Sequence, residues 1–277
     1  MKKTGGKLGR FTLYLALCLI SFASVVPLLW QVRSSFMPIN DIFKIPMIVV
    51  PKRFEFGNYR DVFTLVPFAR YYLNTIFVVL VNIAGALVSN ACIAYAIARI
   101  DFKGRELMYA LSLGTMMLPA SVQLIPFFIE WNWLHGVNTY LPLTVPAFFG
   151  NAFFIFMLVQ FLKTVPKDYD EAAFIDGANH PRILLRVIMP LAKPALAVVA
   201  IFQFMATWND FMGPLLFLND SKLYTLAIGL RSFISTFYTP WPALMAAATL
   251  TVAPLIVLFF AAQRSFVEGL AMGGLKG

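Results

Sequence analysis

Long apolar segments separated by polar connections dominate the chain, and six of them are long enough to cross a lipid bilayer, since a spanning helix needs about 20 apolar residues. The segments are Phe11–Gln31, Tyr72–Ala98, Leu107–Ile129, Tyr140–Leu162, Ala195–Leu218 and Trp241–Gln263. This pattern predicts an all-α bundle of six transmembrane helices. We expect one domain over residues 1–277, with an N-terminus at 1–10, a core at 72–263 and a tail at 264–277.

The connection at residues 163–193 is long and polar, and it lies between two membrane-length apolar segments. Pro166 can open a helix, because a proline in the first turn lacks only an N–H that would be unpaired anyway. Carboxylates such as Glu171 then lie near the positive end of the helix dipole. Gly177 is a typical C-terminal stop, and Pro181 can begin another helix. The connection therefore predicts a helix, a glycine corner and a second helix.

The first of these two helices carries small and acidic residues side by side. Ala172 and Ala173 leave one side without bulk, so that a partner can approach closely. Glu171 and Asp176 can pair with cations of such a partner. Two interpretations stay open from the residues alone: a docking helix for another protein, or an ordinary capped helix on the membrane surface.

Composition supports membrane insertion, because 60% of the residues are hydrophobic, 13% are charged and the mean hydropathy is +0.77. A soluble domain carries about 25% charged residues. The net charge of +9 does not indicate nucleic acid, since the basic residues lie between apolar segments and form no single patch. Cys18 and Cys92 lie inside apolar segments, where we interpret them as small packing residues.

The distribution of Lys and Arg predicts the orientation in the membrane. The N-terminus, the second connection and residues 163–193 are rich in these residues, whereas residues 131–139 have none. The positive-inside rule then places both termini and residues 163–193 in the cytoplasm. The long outer loop from Arg33 to Arg70 is basic as well, and its prolines predict a folded cap. The first segment could be a secretory signal, but it is longer than such signals usually are.

Asp210 is the only Asp, Glu, Lys or Arg well inside the six segments. A charged side chain at mid-membrane costs about 2.5–3.5 kcal/mol on insertion scales, so it must face a partner helix or a water-filled cavity. One interpretation puts Asp210 on a substrate path with Trp208 and Asn209, which offer an aromatic face and an amide to a sugar. The other is a capping or interhelical bond near the outer interface.

Two uncharged polar residues, Gln123 and Asn151, lie in the third and fourth segments. Each can line a cavity or form a hydrogen bond between helices. Proline and glycine also interrupt the third, fourth and fifth segments. These interruptions predict either kinks that shape the packing or local unwinding beside a substrate path.

The residue pattern predicts no catalytic set, cofactor site or metal site in this chain. His135 and His180 lie far apart, without cysteines at metal-ligand spacing. The phosphate-binding pattern G-x-x-x-x-G-K-[ST] does not occur, so we expect no ATP hydrolysis by this chain.

The polar connection resembles the EAA loop of ABC importer permeases. The resemblance rests on Glu171-Ala172-Ala173, on Asp176-Gly177-Ala178, whose glycine is six residues after the glutamate, and on the ending Ile188-Met189-Pro190-Leu191. Met189 and Pro181 depart from the usual leucine and aromatic residue, and neither changes the plan of helix, corner and helix.

Other segments are similar to the maltose-type carbohydrate branch of this family. They are Trp208–Leu215 in the fifth segment, Met117-Leu118-Pro119 with Pro126 in the third, and the Gly-rich ending Gly269–Gly277. The resemblance covers most of the chain after Tyr71.

The resemblance implies a division of labour among subunits. A second permease subunit and two ATPase subunits would assemble with this chain in the bacterial cytoplasmic membrane, and an external binding protein would deliver the sugar. The EAA helix, with Glu171, Ala172, Ala173, Asp176 and Gly177, would enter a cleft on one ATPase. ATP and Mg would bind to that partner.

Three alternatives stay open beside a sugar permease. A phosphorylated polyol such as glycerol phosphate is the nearest substrate. An ion-coupled secondary transporter would usually carry several intramembrane charges, whereas this chain has Asp210 alone. An intramembrane enzyme would need a catalytic set that the residue pattern does not supply.

Overall fold

The computed structural model describes residues 7–235 and 238–274, with side chains described between residues 9 and 263 of those ranges. Over this part of the chain the secondary structure is helical, without a strand, which confirms the predicted all-α class. The outermost basic residues Lys2 and Lys3 and the ending Leu275-Lys276-Gly277 lie outside the described residues.

The helices have the following bounds in chain order. They are α1 (Lys7–Ser35), α2 (Ile39–Ile42), α3 (Gly57–Leu65), α4 (Phe68–Arg99), α5 (Arg105–Thr115), α6 (Ala120–Trp133), α7 (Leu141–Thr144), α8 (Ala152–Thr164), α9 (Asp168–Ile175), α10 (His180–Ile183), α11 (Met189–Leu191), α12 (Lys193–Trp208), α13 (Met212–Phe217), α14 (Leu226–Arg231) and α15 (Trp241–Gly274). A 3-10 helix at Val145–Phe149 follows α7, a π-helical turn at Leu184–Ile188 joins α10 to α11, and a 3-10 turn lies at Ser221–Leu223.

Among the described residues, four helical stretches are long and apolar enough to cross a membrane. They are Gly9–Ser35, Phe68–Arg99, Leu141–Thr164 and Trp241–Gln263. Two bent pairs raise the number to as many as six if each pair counts as one span: α5 with α6, bent by 103°, and His180–Leu191 with α12, bent by 82°.

The chain divides into two compact units. The first runs to Phe68 and includes Leu230–Pro254. As the prolines of the outer loop predict, this unit holds the short helices α2 and α3, and Asn58 donates to the carbonyls of Ser35 and Met37 at 2.9 and 3.0 Å. These bonds hold the loop against the end of α1.

The second unit comprises Ala69–Gly229 and continues from Leu255. Its apolar core joins the C-terminal half of α4 to α8 and to the segment α10–α12. The largest buried side chains there include Leu158, Val159, Ile183, Ile188 and Val199. This core sets the predicted polar connection against membrane-length helices.

The third predicted span, Leu107–Ile129, is broken in the structure into α5 and α6, which are bent by 103°. The helix stops at Thr115 and a new one begins at Ala120. Pro119 is extended at the start of α6, with φ −60° and ψ 134°. A residue before proline is biased away from helix, so Leu118 and Pro119 together end one helix and begin another.

The fourth and fifth predicted spans, Tyr140–Leu162 and Ala195–Leu218, are also interrupted. The fourth breaks at Gly150, whose φ of 89° and ψ of 156° are essentially restricted to glycine. The fifth ends at Trp208, and the chain resumes as α13.

Candidate functional site

The polar connection folds as a helix, a corner and a second helix, as its residues predict. Helix α9 has three acids in its first turn, Asp168, Asp170 and Glu171. Glu171 and Ala172 are exposed, whereas Ala173 is half-buried against the core of the second unit. Of the two alanines in the predicted small face, Ala172 is therefore the more accessible to a partner.

Gly177 forms the corner because the chain there needs a positive φ, which is 79°. Its N–H donates to the carbonyl of Phe174 at 3.0 Å, and the N–H of Ala178 donates to that of Ala173 at 2.9 Å. These bonds close the end of α9. No atom lies within 4 Å of a β-carbon built at Gly177, so backbone conformation alone selects glycine.

The exposed face of α9 is partly apolar as well as acidic. Ile175 is 87% exposed, and the aromatic rings of Phe174 and Tyr169 are 44% and 49% exposed. Asp176 is exposed at the C-terminal end of the helix. Exposed apolar side chains beside carboxylates are typical of a protein-docking surface.

The acidic residue before Glu171 has the opposite environment. The Asp170 side chain is 10% exposed, and its Oδ2 lies 3.4 Å from Nε of Arg99, whose side chain is 5% exposed. Arg99 also donates through Nη2 to the carbonyl of Val165 at 2.8 Å. Sequence reasoning missed this pair, because the sequence does not distinguish Asp170 from its exposed neighbours.

A second contact joins α4 to the start of α10. The hydroxyl of Tyr95 lies 3.2 Å from Nδ1 of His180. The ring of His180 also packs against Phe174, with 5.0 Å between centroids. Asn179 begins α10 by accepting a bond from the N–H of Arg182 at 3.2 Å.

A cavity of about 370 Å³ lies within the second unit, where the fourth and fifth spans are interrupted. Small-molecule sites in proteins usually measure about 300–1,000 Å³. The polar residues that line it come from α4 (Thr75, Asn82 and Asn90), from α12 (Gln203 and Thr207) and from the segments between helices (Asn151, Asp210 and Thr225).

Amide side chains of α4 satisfy the backbone groups that the interrupted fourth span leaves free. Asn82 donates to the carbonyl of Leu143 at 2.9 Å, and Asn90 accepts the N–H of Asn151 at 2.7 Å. Ser89 donates to the carbonyl of Ala147 at 2.9 Å. Irregular backbone at membrane depth is tolerated only when it is buried in protein or lines a cavity, and this site meets both conditions.

The structure brings together two of the five residues predicted for a substrate path. Asp210 and Asn151 line the cavity. Each also caps a helix: the Asp210 carboxylate accepts the N–H of Gly213 at 3.0 Å, and Asn151 accepts those of Phe153 and Phe154. Capping and cavity lining therefore coexist in both residues, and the substrate path itself stays a prediction.

The other three predicted path residues lie outside the cavity lining. Trp208 is buried between aromatic rings, stacked on Phe204 with 5.2 Å between centroids. Asn209 is exposed and donates to the carbonyl of Met205 within its own helix. Gln123 is exposed and donates to the carbonyl of Leu118.

Sequence reasoning missed most of the polar lining, although the residues carried a signal. Asn82 and Asn90 stand eight residues apart in an apolar segment, and Gln203 and Thr207 stand four apart. Both spacings place the pair on one face of a helix. Gln203 donates to the Thr207 hydroxyl at 2.9 Å, which fixes both side chains at the cavity.

The chemistry of the lining favours an uncharged, hydroxyl-rich ligand. Amides and hydroxyls can both donate and accept hydrogen bonds. Among the described lining residues Asp210 is the only ionisable one, and no Lys or Arg is present to balance a bound anion. In the described part of the chain no group of three His, Cys, Asp or Glu residues could hold a metal ion.

Residues 90–271 match a protein family described as the inner membrane component of binding-protein-dependent transport systems. The chain is 31% identical to the arabinooligosaccharides transport system permease protein AraQ of Halalkalibacterium halodurans, over 100% of both chains. It is 33% identical to the diacetylchitobiose uptake system permease protein NgcG of Streptomyces coelicolor, over 94% of this chain and 87% of that one. It is 32% identical to the trehalose/maltose transport system permease protein MalG of Thermococcus litoralis, over 98% of both.

The fold matches a chain in the crystal structure of a bacterial ABC transporter involved in the import of the acidic polysaccharide alginate. The TM-score is 0.85 at 22% sequence identity, and the match covers 95% of this chain and 98% of the other. This likeness establishes the fold.

Proposed function

This chain belongs to the family of inner membrane components of binding-protein-dependent transport systems, and from this premise we propose that it is a permease subunit that imports a neutral sugar or oligosaccharide. As a member of that family it is a multi-pass transport component and not an enzyme. The observation that carries the sugar assignment is the amide- and hydroxyl-lined cavity at the broken fourth and fifth spans.

Coupling to ATP hydrolysis is proposed to take place at α9. Glu171, Ala172 and Asp176 are exposed there beside the apolar side chains of Phe174 and Ile175. This face suits insertion into a cleft on a partner ATPase, which would bind the ATP and Mg. Ala173 supports the helix from behind, and Gly177 sets the corner after it.

The substrate is proposed to be neutral and not a phosphorylated polyol or an acidic sugar. Asp210 has no cationic neighbour in the described cavity lining, so a second negative charge would be repelled and unpaired. Relatives named for arabinooligosaccharides and galactooligosaccharides support a neutral sugar, since the sugar units in those names are uncharged.

The partners and the orientation complete the proposal. We expect a second permease subunit, two ATPase subunits and an external binding protein, with no nucleic acid. Both termini and residues 163–193 face the cytoplasm of a bacterium, which agrees with their basic residues.

Uptake of labelled sugars by cells with and without the gene tests this function. We expect loss of the gene to abolish uptake of one neutral oligosaccharide in a panel that also contains glycerol 3-phosphate and uronic-acid oligosaccharides. That uptake should stop on ATP depletion and persist when an ionophore collapses the ion gradients. Uptake that follows the ion gradient would favour the secondary transporter, and uptake of only anionic compounds would contradict the assignment to a neutral sugar.

A further inference from the structure

The last turns of α4 hold the polar connection at three separate points. Arg99 contacts its entry, by donating to the carbonyl of Val165, and the first turn of α9, through Asp170. Tyr95, one helical turn earlier, contacts the start of α10 through His180. We name Tyr95, Arg99, Asp170 and His180 the α4 clamp.

The ion pair of the α4 clamp is buried, so its two charges must stay close together to compensate for their loss of water. Neither side chain exceeds 10% exposure, and neither Asp170 oxygen nor Arg99 Nε makes a hydrogen bond, although Nε and Oδ2 are 3.4 Å apart. Taking two charges out of water is costly, so a buried pair contributes little net stability, whereas removal of one partner leaves an uncompensated charge. Such a pair specifies the position of α9 relative to α4 more than it stabilises the fold.

The same helix reaches the cavity. Helix α4 is continuous from Phe68 to Arg99, and its residues Thr75, Asn82 and Asn90 line the cavity. At 1.5 Å per residue, Asn90 lies about 14 Å and Asn82 about 26 Å along the helix from Arg99. Asn82 and Asn90 bond directly to the backbone of the interrupted fourth span, so a displacement of α4 must move the cavity wall.

We propose that Arg99 and Asp170 are positioning residues that transmit the movement of α9 to the cavity through α4. This role rests on the proposed coupling function of α9. It adds a second connection to the covalent one, in which α10 and α11 lead from the corner into α12. With two connections, one movement of α9 displaces both helices that carry polar groups into the cavity.

The test follows the cavity by cysteine labelling, and therefore does not require the sugar to be known. The complex with its partner subunits carries Cys18→Ser and Cys92→Ser, and Ala206→Cys serves as a reporter, because Ala206 lines the cavity and is exposed. Labelling by a charged maleimide is timed with and without a non-hydrolysable ATP analogue. We expect Arg99→Met and Asp170→Asn to reduce the nucleotide-dependent change in labelling rate by about fivefold or more, within the usual range of coupling between sites.

Two controls separate coupling from folding. Asp101→Asn and Arg105→Met remove the same charges from a more accessible pair close to the end of α4, whose side chains are 87% and 31% exposed, and they should leave the change in labelling intact. The charge exchange Arg99→Asp with Asp170→Arg should recover the change at least in part. If single variants fail to assemble, the apolar pair Arg99→Met with Asp170→Leu decides: an assembled complex without the labelling change supports the proposal, and one with the full change overturns it.

The outcome for Glu171→Lys distinguishes failure of this inference from failure of the proposed function. Wild-type responses in Arg99→Met and Asp170→Asn, together with a lost response in Glu171→Lys, would overturn the role of the α4 clamp and leave α9 as the coupling helix. A wild-type response in Glu171→Lys as well would contradict the coupling function itself.

Discussion

Asp210 shows how one side chain can serve both structure and selectivity. Its carboxylate accepts the N–H of Gly213 in the first turn of α13, and this bond caps the helix that follows the break in the fifth span. The Gly213 position has no room for a β-carbon, which would contact the Asp210 carboxylate and Leu143. Because the carboxylate also lines the cavity, it contributes the negative charge of the cavity lining.

Asp210→Asn should relax the discrimination against anionic sugars. The amide oxygen of Asn can still accept the N–H of Gly213, so the break in the helix is kept while the charge is removed. We expect the inhibition constant of an anionic competitor to fall at least about tenfold, equivalent to 1.4 kcal/mol, with little change for the neutral sugar. Asp220→Asn is the matched control, since Asp220 caps a turn at Lys222 outside the cavity lining. Equal discrimination in both variants would show that Asp210 does not select charge.

Gln203→Leu should weaken sugar binding without loss of the fold. The substitution removes an amide that faces the cavity and frees the Thr207 hydroxyl. Loss of one or two hydrogen bonds of about 0.5–1.5 kcal/mol each predicts a rise in the half-saturating sugar concentration of roughly 2- to 150-fold. Gln160→Leu is the control, because Gln160 lies on α8 outside the cavity lining and donates to the hydroxyl of Tyr109 on α5. An unchanged concentration in Gln203→Leu would exclude this face of α12 from sugar contact.

At the scale of elements, the interruptions of the spans are what create the cavity. Gly150 ends the first half of the fourth span in a conformation that side chains rarely adopt. A β-carbon there would also lie 2.6 Å from Cδ1 of Ile93. The break is therefore specified locally by glycine and supported from α4 by Asn90.

Gly150→Ala should destabilise the protein and close or distort the cavity. We expect a loss of about 1–3 kcal/mol from backbone strain, since this region is essentially restricted to glycine. Thermal unfolding of the detergent-purified protein measures the change. Gly114→Ala, in α5 with nothing within 4 Å of its β-carbon, should instead be neutral or stabilising. A Gly150→Ala protein as stable as wild type would contradict the strain argument.

The elements also show what could be predicted from the sequence. Helix α4 and the helix–corner–helix of residues 163–193 follow from local signals: apolar length, first-turn acids and Gly177. Proline and glycine marked the breaks in the third, fourth and fifth spans, but the sequence left open whether the helices would kink or unwind there. Hydropathy registers whether residues are apolar and not whether the backbone between them stays helical.

The cavity could be predicted only in part, because its construction depends on long-range bonds. Asn82 meets Leu143 sixty-one residues away, and Asn90 meets Asn151 at the same separation. Asp210 was found because an isolated charge in an apolar segment is costly, whereas uncharged amides carry no comparable signal. The Arg99–Asp170 pair was missed because its two residues are far apart along the chain, as are those of the two asparagine contacts.

At the scale of the whole molecule, one compact unit of the chain contains both the proposed docking helix α9 and the cavity. Both lie between Ala69 and Gly229, and α4 extends from one to the other. Membership of the family implies that the energy comes from partner subunits, since a permease of a binding-protein-dependent system works with separate partners. We infer that sugar binding outside the membrane and ATP hydrolysis inside it are coupled through this chain.

The most direct test of that claim is ATP hydrolysis by the complete complex in lipid vesicles, measured with and without sugar-loaded binding protein. Coupling through α9 predicts that a neutral sugar stimulates hydrolysis in the wild type and in Glu106→Lys, an exposed first-turn acid of α5, but not in Glu171→Lys. Full stimulation in Glu171→Lys, or none by any neutral sugar in the wild type, would contradict it.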